Sequence, residues 1–550
     1  MALAFIMQRH CSAFSDPTFY HTPMNKPFSV TRRLAWFAIL VVCGFSLFGA
    51  SFVVAQPAVV IPVNPTNDFE KVDVQKILAE LPTGERWLSH LKDDLLPFWT
   101  MPSALGVPLG NFPTYRCNDG SLVDPLHPCP EIKNADPSIV KLNRDYVRAK
   151  SRQIFAYGVA YHLTGEEKYL IYAKAGADWL LTHAIDTTGG GAYSWFENGK
   201  GEPAVLQRTS QDMAYAVSGI GFLYYLTHDQ RYLDAVVYLK QHIFSTYFDR
   251  SWGILRWVRE KSVDGDSPDQ KELVSQLDQI YGYLLWTDMA VEDPRLRKEW
   301  ADDLEMLASA MREQFWGDTY GLYWGAITTT ASRNLGTDHT DFGHSIKTLW
   351  LTYRVGMLTG DQGLIEFSKP RMYKIIERAY IPSTGSWALG FKPVSPGSSL
   401  MTLNPDKEWW SLAELDQTTA TLALVDPVFA SVLPRTYDYW FKYMVDHEHG
   451  EIWHMVKASD NKPDLTVPKQ HSWKNAFHSF EHALIGYLTA QQLHGEPIVL
   501  HYAFSHTPDR DSIKPYFYFG EITSMKEEAP FKDPGLSAFH PTEVIFTALR

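Results

Sequence analysis

Six times along this chain, an amphipathic helical stretch alternates with one that is small, aromatic and apolar on nearly every side. The amphipathic stretches fall near residues 76–98, 167–184, 230–246, 294–315, 361–379 and 427–445, with apolar residues at helical spacing such as Tyr169, Ala173, Leu180 and Ala184. The apolar stretches, such as RQIFAYGVAY and MAYAVSGIGFLYY, start near Arg148, Thr209, Leu273, Phe342, Trp409 and Lys474. Their starts recur roughly every 60 to 70 residues, as in repeat architectures. A helix apolar all round is buried, and a striped one covers it. The pattern predicts an all-α fold, an (α/α)6 toroid of six inner helices inside six outer ones. Asp followed shortly by Gly ends several outer stretches (Asp186 to Gly191, Asp249 to Gly253, Asp318 to Gly321, Asp446 to Gly450), which predicts helix stops and short β-hairpin loops.

Length alone would suggest two or three domains. No Pro/Ser linker divides the repeat, so residues 76–495 read as one barrel, preceded by a linker at 56–75. Residues 496–550, rich in Pro, Tyr and Phe and lacking a helix signal, read as an irregular extension packed on the barrel. Residues 34–55 are apolar and uncharged, follow Thr31-Arg32-Arg33 and end in Val53-Val54-Ala55. They predict a signal peptide over residues 1–55, or a membrane anchor if uncleaved. Either way the folded part is exported, periplasmic or extracellular, and meets a membrane only through that segment.

Residues 1–55 hold four cations against Asp16, so their removal takes the net charge from −13 to −16. Such acidity argues against nucleic-acid or anionic-membrane partners. The remaining cysteines, Cys117 and Cys129, would close a small disulfide loop in an oxidising compartment; two free thiols are the alternative. Without further Cys or paired His beside them, no zinc site is expected there.

The candidate chemistry lies in two histidines. His344, in Phe342-Gly343-His344, and His478, in Trp473-Lys474-Asn475-Ala476-Phe477-His478, each open an inner stretch. Imidazole titrates near neutrality, so it can take and return a proton beside a sugar carbonyl. Two of them on opposite faces invert a carbon, and return of the proton to the neighbouring carbon gives a ketose. Nearby donors stabilise the enediolate, and no metal or organic cofactor is required.

Several motifs follow in order. LLPFW (95–99) precedes Gly110-Asn111-Phe112, and Arg152-Gln153 opens the first inner stretch. Gly343-His344, Trp409-Trp410 with Glu414, Asp446 to Trp453, and Trp473-Lys474 leading to His478 come after. In this order, over roughly residues 80–492, the chain resembles the N-acylglucosamine 2-epimerase superfamily, which includes cellobiose 2-epimerases and aldose–ketose isomerases. The resemblance implies His344 and His478 as the acid–base pair, with Arg152 and Glu414 holding the sugar and polarising its reacting end. Trp faces stack on sugar rings, so among Trp409, Trp410 and Trp473, Trp410 and Trp473 are expected to wall the cavity, with a core position as the alternative. The substrate would be a mono- or oligosaccharide; the oligomeric state is left open.

The chain also departs from the family pattern. Lys347 stands where a glutamate usually follows the first histidine, and Glu481 where an arginine usually follows the second. Each lies one turn from its histidine. The expectation is a swapped polar pair across the cavity, Glu481 orienting a histidine and Lys347 binding substrate. Met213 replaces a polar residue, and Ser275-Gln276-Leu277-Asp278-Gln279 stands where histidines are customary. Two other readings stay open. A glycoside hydrolase or polysaccharide lyase would use paired carboxylates among Asp212, Asp278, Glu414 and Asp416, and a carbohydrate-binding protein would keep the pit without catalysis. Arg152 and Glu414 could instead serve in salt bridges, and the histidines as caps or core. His478-Ser479-Phe480-Glu481-His482 also matches an inverted zinc-peptidase motif, but it lacks a further acidic ligand in a downstream helix.

Overall fold

The computed structural model describes residues 73–550, apart from 203, 205–206 and 262–264. The apolar segment 34–55 and most of the expected linker lie outside the described residues. The rest is mostly helical with small antiparallel sheets. Its apolar-all-round helices are Val147–Thr164, Ser210–Thr227, an interrupted rod over 274–290, Phe342–Thr359, Trp409–Ala423 and Phe477–His494. The rod carries a π-helical stretch at Ile280–Leu284. Nearly every residue of these helices is buried. In chain order the first packs on the second and the second on the rod; Phe342–Thr359 packs on Trp409–Ala423, which packs on Phe477–His494, which returns to the first. Lys347 closes the remaining gap by reaching Asp278 on the rod.

Striped helices Glu167–His183, Gln230–Tyr247, Pro294–Gln314 and Gln362–Ala379 follow the first four inner helices. One sequence device makes three of these turns. Thr164, Thr227 and Thr359 each donate Oγ1 to the carbonyl four residues back, at 2.6, 2.6 and 3.1 Å. Each hydroxyl also accepts from the backbone N–H two residues on. Between them, Gly165, His228 and Gly360 take left-handed φ values of 67°, 50° and 79°, which reverse the chain. Asp229 and Asp361 then cap the outer helix with a carboxylate on its free N–H groups. Return connections are short hairpins, such as Phe248–Asp249 with Ile254–Leu255 and Trp316–Gly317 with Leu322–Tyr323.

The C-terminal extension is not irregular. Ile498–Phe504, His540–Thr547 and Glu521–Glu527 form a three-stranded antiparallel sheet with His540–Thr547 in the middle. The loop before Glu521–Glu527 enters the helical body and buries Tyr516, Phe517 and Tyr518 completely. Arg354 Nε donates to the Phe517 carbonyl at 2.9 Å, Tyr518 shares a hydrogen bond with Thr421 at 2.7 Å, and Tyr225 donates to the Lys514 carbonyl at 2.6 Å. These contacts fall in the last turns of three inner helices, so the loop plugs their C-terminal ends. Its aromatic residues find burial only against other elements, which is why no local periodicity marks it. Among the described residues no helix is long and apolar enough to cross a membrane.

Gly360 sits at φ 79° with open space where a Cβ would go. Gly360→Ala should therefore cost backbone strain alone, about 1 to 2 kcal/mol, read as a lower denaturation midpoint. Gly360→Asn, which tolerates this conformation better, should cost less.

Candidate functional site

At the opposite, N-terminal ends of the inner helices lies a cavity of about 380 Å³. Arg152, His344, Lys347, Trp410, Trp473 and His478 line it, six of the residues singled out from sequence; Glu414 and Glu481 lie beneath it.

His344 is set by Asp341, which the sequence reading missed although it stands three residues earlier, at the spacing of an N-cap. One Asp341 oxygen accepts the His344 backbone N–H and the other accepts Nδ1–H, both at 2.7 Å. The proton is thus held on Nδ1, and Nε2 is left for a ligand. Burial lowers the His344 pKa; Asp341 opposes the shift, and His339 and Lys347 add to it. Trp410 packs 4.4 Å from this ring and 6.2 Å from His478, between the two.

His478 is held from below. Glu481, at zero exposure, accepts from the hydroxyls of Tyr281 and, at 2.7 Å, of Tyr516. The Tyr281 proton is committed there, so its oxygen accepts from His478 Nδ1, 3.0 Å away. Glu414 Oε1 lies 3.4 Å from the same nitrogen. Nε2 of His478 again remains as a lone pair. Burial drives the His478 pKa well below 6.5, with Arg152, Lys347, Lys474 and His344 acting in the same direction. Burial also pushes Glu481 up to about 7 and Glu414 well above its usual range. Glu414, His478 and Glu481 present atoms within 4.8 Å of one another, a spacing that suits a shared proton as well as a cation. Tyr281, bonded to two of the three, fits the shared proton.

The expected Lys347–Glu481 pair across the cavity is not what forms. Lys347 Nζ binds Asp278 at 3.3 Å, and the other Asp278 oxygen accepts from Gln211 at 2.6 Å. Glu481 is taken by tyrosines instead. Both partners, Asp278 and Tyr281, come from the rod whose missing histidines had looked like a loss. Arg152 donates to the Trp473 carbonyl at 2.7 Å, while its buried Nε meets no acceptor among the described residues. Of the other carboxylates, Asp212 is bound by Arg148 at 2.5 Å and Asp416 by Trp387 at 2.7 Å. His482 turns away from His478, packing 4.3 Å from Trp440 with Asp416 at 3.3 Å, so the two imidazoles of the zinc-like motif do not converge.

Several motif residues prove to be braces. Trp99 of LLPFW, Lys474 and Ser479 all bind the buried Glu451, the first two at 2.6 Å. Lys150 binds Asn111 and the Phe112 carbonyl at 2.7 Å. Cys117 and Cys129 are joined (S–S 2.07 Å); the loop they close binds residue 469 through Asn118, and Arg116, just before it, binds Gln470. Trp473 follows shortly after; its ring lies 3.5 Å beneath the Arg148 guanidinium.

An all-round buried helical core thus carries a polar, two-histidine cavity at one end. Residues 132–480 match the N-acylglucosamine 2-epimerase (GlcNAc 2-epimerase) family, and the chain belongs to it. Cellobiose 2-epimerase of Bacteroides fragilis is 24% identical over 349 residues, 60% of this chain and 84% of that protein. The structure of cellobiose 2-epimerase from Spirochaeta thermophila superposes with TM-score 0.60 at 18% identity, covering 76% of this chain and 97% of that one. A D-mannose isomerase structure gives 0.59 at 15% identity, covering 73% and 97%. The protein is a carbohydrate epimerase or isomerase.

Tyr516→Phe removes a donor that favours ionised Glu481, whose folded pKa of about 7 exceeds the unfolded value. The Glu481 contribution to stability is already being lost as pH rises from about 4.5 through about 7, and this loss should deepen. The variant should lose about 1 to 3 kcal/mol in denaturant unfolding, more at pH 8 than at pH 6.

Proposed function

We propose that this chain is an exported sugar 2-epimerase or aldose–ketose isomerase working through an enediolate within an (α/α)6 toroid. Support for the toroid comes from the cyclic packing of the inner helices and from the likeness of fold. One observation carries the chemistry: His344 and His478 line one cavity, each with Nδ1–H held by a carboxylate or tyrosine and Nε2 left free.

In this reading His478, strongly disfavoured as an imidazolium, is the neutral base that takes the proton from C2. His344, whose cation is supported by Asp341, is the acid that returns one from the other face. Return to C2 inverts it; return to C1 gives the ketose. The unpartnered Nε–H of Arg152 stabilises the oxyanion as charge develops. Trp410 and Trp473 stack on the sugar. Glu414 and Glu481 act through His478, and Lys347, tied to Asp278, offers its remaining protons to hydroxyls. The names of the relatives point to a reducing aldohexose or the reducing end of a disaccharide. Export, read from residues 34–55, favours an oligosaccharide or envelope glycan over a sugar phosphate.

Incubation of the chain from Gln56 with reducing mono- and disaccharides in heavy water, followed by NMR, should show loss of the C2 proton signal. His344→Ala and His478→Ala should each abolish it, and the product names the reaction. No exchange across the panel from a folded protein would sink the reading. Asp341→Asn should lower the His344 pKa further, so the alkaline limb of the pH–rate profile should move to lower pH while the acid limb stays.

A further inference from the structure

Within the same cavity wall stands a second set of titratable groups that proton transfer at C2 leaves unused: Glu408, His454 and His471. Glu408 ends the short strand Lys407–Glu408, directly before the helix Trp409–Ala423, and is paired across to Met455. Hydrogen bonds fix the direction of the imidazoles behind it. His471 Nδ1 accepts the Trp473 backbone N–H at 3.2 Å, so the His471 proton sits on Nε2. That proton is donated to His454 Nδ1 at 3.0 Å, which places the His454 proton on Nε2. His454 Nε2 in turn faces Glu408 Oε1 at 3.6 Å. Two imidazole N–H dipoles are thus aligned toward one carboxyl on the cavity wall. Burial and Asp341 hold Glu408 up to about 7, against the Trp410 indole and His339, so near neutrality the carboxyl is present in both forms.

Resting on the epimerase or isomerase reading above, we propose that Glu408 opens the pyranose ring of the substrate, with His454 and His471 as positioning residues. The chemistry demands such a group. A closed pyranose has no carbonyl, so its C2 proton is not acidic and neither catalytic imidazole can act on it. One oxygen of protonated Glu408 gives its proton to the ring oxygen while the other accepts the anomeric hydroxyl proton. The O1–H electron pair becomes the C1=O π bond, and the C1–O5 pair moves to O5. The carboxyl ends with the proton count it began with, because its two oxygens share one carbon as O1 and O5 do in the sugar. Nothing further is consumed. The ligand class is a reducing aldose in its cyclic hemiacetal form.

Anomer interconversion is measurable apart from C2 chemistry. Saturation-transfer NMR on D-glucose, D-mannose and cellobiose with the full chain should show accelerated exchange between α and β forms. Glu408→Gln should lower that acceleration roughly 100-fold, whereas His478→Ala should keep it while losing C2 proton exchange. Wild-type protein that speeds anomer exchange without C2 exchange would defeat the epimerase reading and leave ring opening standing. No acceleration with any of the three sugars, or Glu408→Gln equal to wild type, overturns the proposal. Should Glu408→Gln fail to fold, the wild-type pH profile decides. The acceleration must fall as pH rises through about 7, where Asp341, His339, His454 and Trp410 face the carboxyl; a flat rate from about pH 5 to about pH 9 overturns the proposal.

Discussion

Glu481 is a carboxylate at zero exposure in the aromatic floor of the cavity, and the cost of putting it there organises much around it. Two tyrosine hydroxyls satisfy it, one from the rod and one from the C-terminal loop. Tyr281, its proton committed, accepts from His478 and fixes which imidazole nitrogen faces the cavity. The plug at one end of the helices is therefore connected by hydrogen bonds to the site at the other. Tyr516 holds a left-handed φ of 59° at this point, a conformation a bulky residue adopts only when its surroundings dictate it.

The inner helices were legible because burial on all sides leaves an unmistakable composition. Expected starts at Phe342 and Trp409 coincide with the structure, while Lys474 anticipates Phe477 by most of a turn because Asn475 and Ala476 form the entry. Partners across the core were not legible. Lys347 and Glu481 are both polar residues one turn inside a helix, and their charges suggested each other. Which carboxylate Lys347 meets depends on the rotation of a third helix, and sequence periodicity fixes such rotations only loosely. The extension failed for a related reason: Tyr516, Phe517 and Tyr518 belong to the core, but their burial comes entirely from elements distant in sequence. Asp341 was within reach, since an Asp three residues before the first cavity-facing residue is the ordinary signature of an N-cap.

The helix N-termini explain why the site sits where it does. Apolar helices cannot expose polar side chains along their length, so Arg152, His344, Trp410 and His478 cluster in the first two turns, where the chain emerges from the core. Hairpin ends and the segment before Phe477 supply the rest: His454, His471 and Trp473 arrive on irregular backbone braced by the disulfide loop. The rigid helices carry the groups argued to act at C2, whereas Glu408 and its histidines ride on strand ends and loops.

That division has a physical rationale. Proton transfer at C2 requires two imidazoles at fixed heights on either side of one carbon, a demand met by helices locked in a close-packed core. Ring opening asks less, because O1 and O5 share a carbon and a single carboxyl spans both. The burial that keeps His478 neutral also pushes Glu408 up. A low-dielectric cavity therefore favours a neutral base at one wall and a neutral acid at the other, and the same scarcity of water serves both steps. A more solvated cavity would stabilise the His478 imidazolium and the Glu408 carboxylate, and would weaken the base of one proposed step and the acid of the other.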